Sequence, residues 1–380
     1  MLTIAHASRP AARRGNVLIL FAVLLTSLIG MVAFAIDTGY IALTKTKLQA
    51  TADAAALAGA VATAAPPGEP QNAAAVRAEV RRYVELNTSG LTVLDEDVRL
   101  VRYTPTAEPG DRLSASSSAA QPANAVQVTL RRDALANNPL RLFFAPVIGT
   151  NSASLAATAT AYIGSAGGVT AGAPLLPYTM HIDYYHAAAG LTGLGQSAIT
   201  VADAFTVDPT TLRVSPGSDG VMEVVLFGDR QHAPGNFGSL DIGSSQNGTS
   251  ELERQVYSGP TPGDFANPDF ATNVGADGSL QVPFSTTGDT GLSGSVKTAL
   301  EAIAGKPRII PLYDTVSGSG NGAVYHLVEF AGVVVTKVDF NGSPKRVWVQ
   351  PAFVVSNKVS PVTTGKAATG VYTPPKLVIP

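Results

Sequence analysis

The stretch that decides the fold runs from Arg13 to Ala60 and reads RRGNVLILFAVLLTSLIGMVAFAIDTGYIALTKTKLQATADAAALAGA. Within it, residues 17–36 carry no charged side chain and are predominantly apolar. At about 1.5 Å of rise per residue, a helix of this length covers the ~30 Å hydrocarbon layer of a bilayer. The sequence therefore predicts a transmembrane helix over residues 17–36.

The charges on the two sides of this run predict its orientation. Arg9, Arg13 and Arg14 precede it with no acidic residue among them, and Asp37 follows it directly. Because basic residues concentrate on the cytoplasmic side of membrane helices, we expect residues 1–16 to be a cytoplasmic basic N-terminus. The chain would then be single-pass, with everything beyond residue 36 on the opposite side of the membrane.

A cleaved secretory signal is the competing interpretation of the same run. Ala33, Phe34 and Ala35 form an A-x-A triplet after a basic start and an apolar stretch, as signal cleavage sites do. Cleavage after Ala35 would release a secreted surface-binding module. The length of the apolar run and the helical pattern that follows it favour an uncleaved helix, and the secreted module stays as the alternative.

A helical face continues beyond the apolar run. Its members are spaced alternately four and three residues apart, and all but Lys47 are apolar: Ile36, Tyr40, Leu43, Lys47, Ala50, Ala54, Leu57 and Val61. This spacing places them on one side of a helix. We expect the helix to continue out of the membrane and the apolar members of this face to pack against partner helices. The alternative is that the face serves the core of its own domain.

The composition excludes several classes of function. The chain has 380 residues, with 26 Lys and Arg against 28 Asp and Glu, a net charge of −2 and no cysteine. Nucleic-acid binding needs clustered basic residues, so it is not expected. The missing cysteines exclude disulfide scaffolds, thiolate metal sites and a cysteine nucleophile. The length predicts a small number of units with sizeable cores.

Residues 37–164 have the layout of a pilin-like α/β unit, in which a long helix is followed by a second helix and a small antiparallel sheet. Proline and glycine at residues 66–70 end the first helix, and the second is expected at residues 72–87. The strand and helix patterns that follow predict strands at Val98–Tyr103, Val126–Arg131 and Ala156–Ile163, and a short helix near Leu140 to Val147.

The remainder of the chain changes character. Residues 165–174 are rich in glycine and small residues, which predicts a flexible linker. Residues 175–380 alternate short β-prone runs with Gly, Pro, Asp and Asn turns, so they predict a β-rich extracytoplasmic domain, mostly antiparallel, with small helical inserts. The predicted fold class is α+β, with an N-terminal transmembrane helix that continues into the pilin-like unit.

The segment 13–60 resembles the TadG-like proteins of Flp (tight-adherence) type IV pilus assembly systems. The matching features are the basic pair, the glycine, the apolar span, Asp37-x-Gly39, an aromatic residue and the run LQATADAAALAGA at residues 48–60. Flp prepilins are cut after a glycine that is followed, five residues on, by Glu and an aromatic residue. Here Gly15 is followed at those positions by Leu20 and Phe21, which implies an uncleaved, membrane-retained member.

The resemblance implies a structural or assembly component of the bacterial inner membrane, and not an enzyme. Its partners would be the membrane, other Flp pilus assembly proteins and minor pilins, with no nucleic acid, small-molecule substrate or cofactor. Its C-terminal domains would lie in the periplasm or outside the cell.

Two clusters of polar residues are candidates, one for a metal site and one for a catalytic site. His181 and His186, together with Asp183, could contribute metal ligands, although no further ligand is evident. Asp314, Tyr325 and His326, with Ser317 or Ser319, could be imagined as a hydrolase site, but no G-x-S-x-G motif accompanies them. Gly318, Gly320 and Gly322 predict a hairpin turn. We predict no catalytic, cofactor or metal residue, and an extracytoplasmic hydrolase stays as a further alternative.

Overall fold

The computed structural model describes most of the chain. The described residues are 16–64, 71–116, 122–191, 199, 201–227, 238–243, 248–289, 294–341, 345–362 and 367–379. The expected helix break at residues 66–70 lies outside them. The six α-helices among them are α1 (Asn16–Ala62), α2 (Ala73–Asn87), α3 (Ile182–Ala188), α4 (Thr249–Ser258), α5 (Pro262–Ala266) and α6 (Gly294–Ala302).

The described residues also form strands β1 to β21. Their bounds are β1 (Val98–Tyr103), β2 (Leu113–Ala115), β3 (Ala125–Arg132), β4 (Leu140–Arg141), β5 (Ser152–Ala153), β6 (Leu155–Tyr162), β7 (Ala166–Thr170), β8 (Met180–His181), β9 (Phe205–Val207), β10 (Val214–Pro216), β11 (Val224–Phe227), β12 (Ser239–Leu240), β13 (Ser279–Gln281), β14 (Phe284–Asp289), β15 (Pro307–Ser317), β16 (Val324–Asp339), β17 (Arg346–Pro351), β18 (Val354–Val355), β19 (Val359–Pro361), β20 (Val371–Tyr372) and β21 (Lys376–Leu377). A long apolar helix followed by mostly antiparallel sheet confirms the α+β class.

The N-terminal unit is a helix pair on an antiparallel sheet. The sheet has the order β2-β1-β3-β6-β21. Its centre is the β3–β6 pair, in which Val126 faces Ala161 and Val128 faces Ala159. These side chains are buried beneath α1 and α2. Valine and alanine alternate with Gln and Thr along β3 and β6, so one face of the sheet is apolar and covers the helices.

The first half of α1 lies outside any core. The apolar side chains from Val17 to Phe34 are exposed, at 43% or more for the large ones. Among the described residues, α1 is the one helix that is long and apolar enough to cross a membrane. Thr26 and Ser27, the polar residues within the run, bond their hydroxyls to the carbonyls of Ala22 and Val23, so they add no unsatisfied donor to the surface.

The C-terminal part is layered around a larger sheet. Strands β11, β17, β16, β14 and β12 follow one another in space, and β15 pairs with the other side of β16 and, in parallel, with β8. β16 contributes to two cores. Tyr325, Leu327 and Phe330 enter the core shared with β7, β13 and β19, whereas Val333 and Val335 enter the core covered by α4 and α6.

Residues 165–174 are not the flexible linker that their composition predicts. They contain β7, which pairs antiparallel with both β13 and β19. A Cβ atom at Gly167 would lie 2.6 Å from the Val362 Cα, and one at Gly168 would lie 2.8 Å from the Leu280 carbonyl oxygen. The glycines therefore serve close contact between backbones, because only a residue without a side chain fits there.

Two further differences from the sequence-based expectations concern local structure. The short helix expected near Leu140 to Val147 is instead β4, which pairs with β5, followed by a 3-10 helix at Ala145–Ile148. The end of the chain also returns to the N-terminal sheet, where β21 pairs with β6. The far C-terminus is thus part of the sheet that carries α1, although it follows the β-rich part in sequence.

Candidate functional site where the apolar helix meets its domain

The outer half of α1 is the central element of the N-terminal core. Five of its apolar residues are at most 3% exposed: Leu48, Ala52, Ala55, Ala56 and Ala60. They share one cluster with the buried valines of α2 and with the apolar face of β3 and β6. Alanine is the right size here, because α1 lies against a helix and a sheet at once and larger side chains would hold them apart.

Gly59 marks the closest of these contacts. A Cβ atom at this position would lie 2.7 Å from Val80 Cγ2 and 3.1 Å from Val126 Cγ1. Val80 belongs to α2 and Val126 to β3, so Gly59 is the point at which three elements meet. Gly39, in the exposed part of the same helix, has no atom within 4 Å of the corresponding position. Of these two helical glycines, only Gly59 is required by packing.

The polar residues at positions 48–53 of α1, which read LQATAD, bond α1 to its neighbours. The Gln49 side-chain amide donates to the Asp53 carboxylate at 2.8 Å and to the Thr158 carbonyl of β6 at 3.2 Å. The Thr51 hydroxyl lies 2.7 Å from the hydroxyl of Thr88, the residue that follows α2. The segment on which the resemblance depends most is therefore structural: its apolar residues form the core and its polar residues bond to β6 and to the end of α2.

The predicted partner-packing face lies on the other side of α1 from this core. At 100° per residue, it is centred roughly 140° around the helix axis from Leu48, Ala52 and Ala55. Ile36 and Leu43 are 44% and 54% exposed. The other members are exposed or half-buried: Tyr40, Ala50, Ala54, Leu57 and Val61. The exposed members of this face are therefore Ile36, Leu43 and Ala50, whereas the other four are partly covered, and Leu57 packs against the N-terminal core.

Asp37 connects the end of the apolar run to a distant loop. Its carboxylate accepts three backbone hydrogen bonds, from the N–H groups of Phe143, Phe144 and Ala145 at 2.8, 3.0 and 2.7 Å. Asp37 is 5% exposed. Burial raises the pKa of this carboxyl, but the three N–H donors outweigh it and hold the pKa below its ordinary value. The ionised carboxylate thus caps the 3-10 helix at Ala145–Ile148 and fixes that loop against α1.

An ion pair on the central strand of the sheet, with its carboxylate buried, stabilises the same unit. Arg131 of β3 donates two hydrogen bonds to the Asp97 carboxylate, one of them from Nε to Oδ2 at 2.9 Å. The Asp97 side chain is only 3% exposed. Arg131 holds a raised pKa, chiefly because of this bond. The pair joins β3 to the 3-10 turn at Asp95–Asp97 that precedes β1.

The histidine group does not form one site. His181 accepts from the Asp183 backbone N–H at 3.2 Å and so caps the start of α3. His186, at the other end of that helix, lies 3.5 Å from the buried carboxylate of Glu329. Within the described part of the chain, no cluster of three His, Asp or Glu side chains has the arrangement of a metal site.

The candidate hydrolase residues do not come together, because two of them are exposed and the third is buried. The His326 Nδ1 lies 2.8 Å from the Asp314 Oδ1, and both side chains are more than 40% exposed. Tyr325 is fully buried, with its ring centroid 4.9 Å from that of Tyr313. Adjacent residues on a strand point to opposite faces, so Tyr325 cannot join the exposed pair. Gly318, Gly320 and Gly322 lie in the connection between β15 and β16, as predicted.

Comparison with known proteins bears on the first part of the chain. Residues 15–62 match the family described as "Putative Flp pilus-assembly TadE/G-like", and residues 46–161 match the family described as "Putative Tad-like Flp pilus-assembly". No curated protein and no solved structure matches the chain significantly. The two family matches confirm the resemblance to the TadG-like proteins and support a role in Flp pilus assembly. Together they cover α1 and the helix-on-sheet unit that the structure builds around it.

Proposed function

We propose that this chain is a single-pass inner-membrane component of an Flp-type pilus system. Residues 17–36 would span the membrane with the N-terminus in the cytoplasm, and the two layered parts of the fold would lie outside. It would act by noncovalent contact with other assembly proteins and minor pilins. This function requires an anchored head domain with an apolar contact surface, and the exposed apolar run of α1 supports the anchor.

One observation carries the proposal: the exposed apolar run and the buried core belong to the same uninterrupted helix. α1 runs from Asn16 to Ala62. Its first half exposes large apolar side chains to solvent, and its second half is enclosed by α2, β3 and β6. Soluble domains rarely expose so much contiguous apolar surface. A lipid environment for the first half removes that surface from water while the second half carries the head.

Asp37 favours an anchored chain over a secreted one. Cleavage after Ala35 would place Asp37 at the second position of a new, charged N-terminus. Asp37 is buried and organises three backbone N–H groups of a distant loop, a role that a frayed terminus would perform poorly. The continuous helix through residues 33–37 supports retention of the span for the same reason.

The face defined by Ile36, Tyr40, Leu43, Ala50, Ala54, Leu57 and Val61 is the surface we propose for partner proteins. It begins at the membrane boundary and follows α1 along the outside of the head. A helix of another subunit could pack along it, because its members follow the four-and-three spacing of helix pairing. Lys47 within the face would contribute orientation through charge, as polar residues do in such seams.

A genetic complementation experiment tests this function. We expect deletion of the gene to abolish Flp pili, as seen by electron microscopy, and the wild-type gene to restore them. A variant in which residues 17–35 are replaced by a cleavable signal peptide should release the head domain and fail to restore pili. Normal piliation in the deletion strain, under conditions where the other pilus genes are expressed, would refute the proposal.

A further inference from the structure

A second apolar surface lies next to the point where α1 would leave the membrane. Residues 142–149, here called the apolar loop, read LFFAPVIG and contain no charge. They connect β4 to β5. Phe143 and Phe144 are 64% and 43% exposed, and Val147 and Ile148 are 89% and 82% exposed. A contiguous patch of large exposed apolar side chains marks a site of contact with a membrane or with another protein.

The structure fixes the position of the apolar loop relative to α1. The Asp37 carboxylate holds the backbone N–H groups of Phe143, Phe144 and Ala145 within 3.0 Å. The Phe143 ring also packs on Tyr40, one helical turn further out, with ring centroids 5.0 Å apart. Asp37 directly follows the apolar run, so the loop lies level with its end and continues the exposed apolar surface of α1.

We propose that the apolar loop inserts into the outer interface of the bilayer that residues 17–36 cross. This inference rests on the proposed membrane anchor. Three features favour lipid over a protein partner. The loop is a protruding hairpin end with its most exposed residues, Val147 and Ile148, furthest from the Asp37 contact in sequence. It has two phenylalanines, and Phe is among the residues that interfacial segments bury at the boundary between headgroups and acyl chains. Arg141, exposed at its base, can reach lipid phosphates.

Insertion would give the head domain a second contact with the membrane. A head held by one helix can rotate and tilt with that helix, whereas a head held at two points keeps one orientation. Asp37 would transmit this restraint, because it bonds the loop to the helix by three hydrogen bonds. The face for partner proteins would then be presented at a constant height and direction along the membrane surface.

The absence of cysteine allows a direct test with single labels. Full-length variants Val147→Cys, Leu28→Cys and Leu86→Cys would each carry an environment-sensitive fluorophore. Each labelled variant would be reconstituted, one chain per nanodisc, into a bilayer of phosphatidylethanolamine and phosphatidylglycerol. The bilayer would be prepared with and without doxyl-labelled lipid, which quenches a fluorophore that contacts it. Leu86 is a matched control, since it is 68% exposed and lies two residues before Thr88, which contacts Thr51. Thr51 is about 21 Å along α1 from Asp37.

We expect lipid quenching at position 147 to approach that at position 28 and to exceed that at position 86 several-fold. Asp37→Ala should reduce quenching at position 147 without changing it at position 28. Quenching at position 28 with none at position 147 would overturn the loop proposal alone. A blue-shifted but unquenched label at position 147 would also overturn it, since protein and not lipid would then cover the loop. Absence of quenching at position 28 would refute the anchor, and the loop proposal with it.

Discussion

Replacing Gly59 by leucine should loosen the contact between α1 and its domain. A Cβ atom there would lie 2.7 Å from Val80 Cγ2 and 3.1 Å from Val126 Cγ1, whereas carbon atoms in ordinary contact are about 3.5–4.0 Å apart. Elements must therefore separate by roughly 1 Å before the further atoms of leucine are placed. The valine side chains cannot relieve this contact easily, because β-branched residues are stiff at χ1.

The expected cost follows from two opposed effects. Overpacking of a well-filled core destabilises by about 1–3 kcal/mol or more. Removing a glycine from a helix interior stabilises by about 1 kcal/mol. Leucine adds four carbon atoms at a site that has no space for the first, so overpacking exceeds the gain in helix propensity. We expect Gly59→Leu to lower the free energy of unfolding by about 2 kcal/mol.

Gly39→Leu is the matched control, because it introduces the same side chain into the same helix at a position with nothing within 4 Å. It should leave stability unchanged or raise it by at most about 1 kcal/mol. Unfolding of the full-length protein in detergent would be followed by near-ultraviolet circular dichroism against denaturant concentration. Equal stability of the two variants would refute the account, since α1 would then not be enclosed by α2 and β3 as described.

Two other perturbations test the surfaces of α1. Leu43→Glu should abolish pili in the complementation assay while changing the unfolding free energy by no more than about 0.5 kcal/mol, because Leu43 is exposed. The control Leu86→Glu, at a leucine that is also exposed, should be fully piliated. Normal piliation by Leu43→Glu would exclude this face. The Asp37 carboxyl has a lowered pKa, so its ionised form stabilises the fold above the ordinary aspartate pKa of about 3.9 and this contribution disappears as the pH falls through the lower pKa of the folded state. Amide hydrogen exchange at Phe143 and Phe144, corrected for intrinsic rates, should therefore stay slow from pH 7 down to about pH 4 and become fast in stronger acid. Asp37→Asn should exchange fast already at neutral pH, and protection that is indifferent to both changes would contradict the assigned bonds.

The local elements could be predicted because their patterns are strong. The strand predicted at Val98–Tyr103 has the same bounds in the structure, and α2 begins directly after Asn72, whose side chain caps it. In these segments the alternation of apolar and polar residues, or a capping side chain, determines the structure locally. The apolar run of α1 is equally evident, since its length and lack of charge need no tertiary context.

The buried face of α1 could not be chosen from the sequence. Alanine occurs on every side of the helix between Leu48 and Val61, so hydrophobicity favours no direction strongly. The four-and-three spacing from Ile36 to Val61 is the more regular pattern, yet the core of the N-terminal unit is built mainly on Leu48, Ala52, Ala55, Ala56 and Ala60. The buried face of α1 is determined by the space left by Val80 and Val126, which accepts Gly59 and small alanines. These contacts join residues that are distant in sequence.

Two other features depend on tertiary contacts in the same way. Glycines at residues 167 and 168 predicted a flexible linker, whereas they permit backbones to approach closely in β7. Asp37 was noted for its charge after the apolar run, but its bonds to residues more than a hundred positions away leave no local pattern. The apolar loop similarly falls within the short helix that the sequence predicts near Leu140 to Val147, because LFFAPVIG carries no signal of exposure.

The central claim is that one uncleaved helix joins the membrane to the head domain. The most direct test is the intact mass of the protein extracted from membranes after alkaline washing. We expect the chain to stay with the membranes through the alkaline wash and to retain both residues 17–36 and the segment ahead of Asn16. A mature chain that begins at Ile36, recovered from the soluble or secreted fraction, would contradict it.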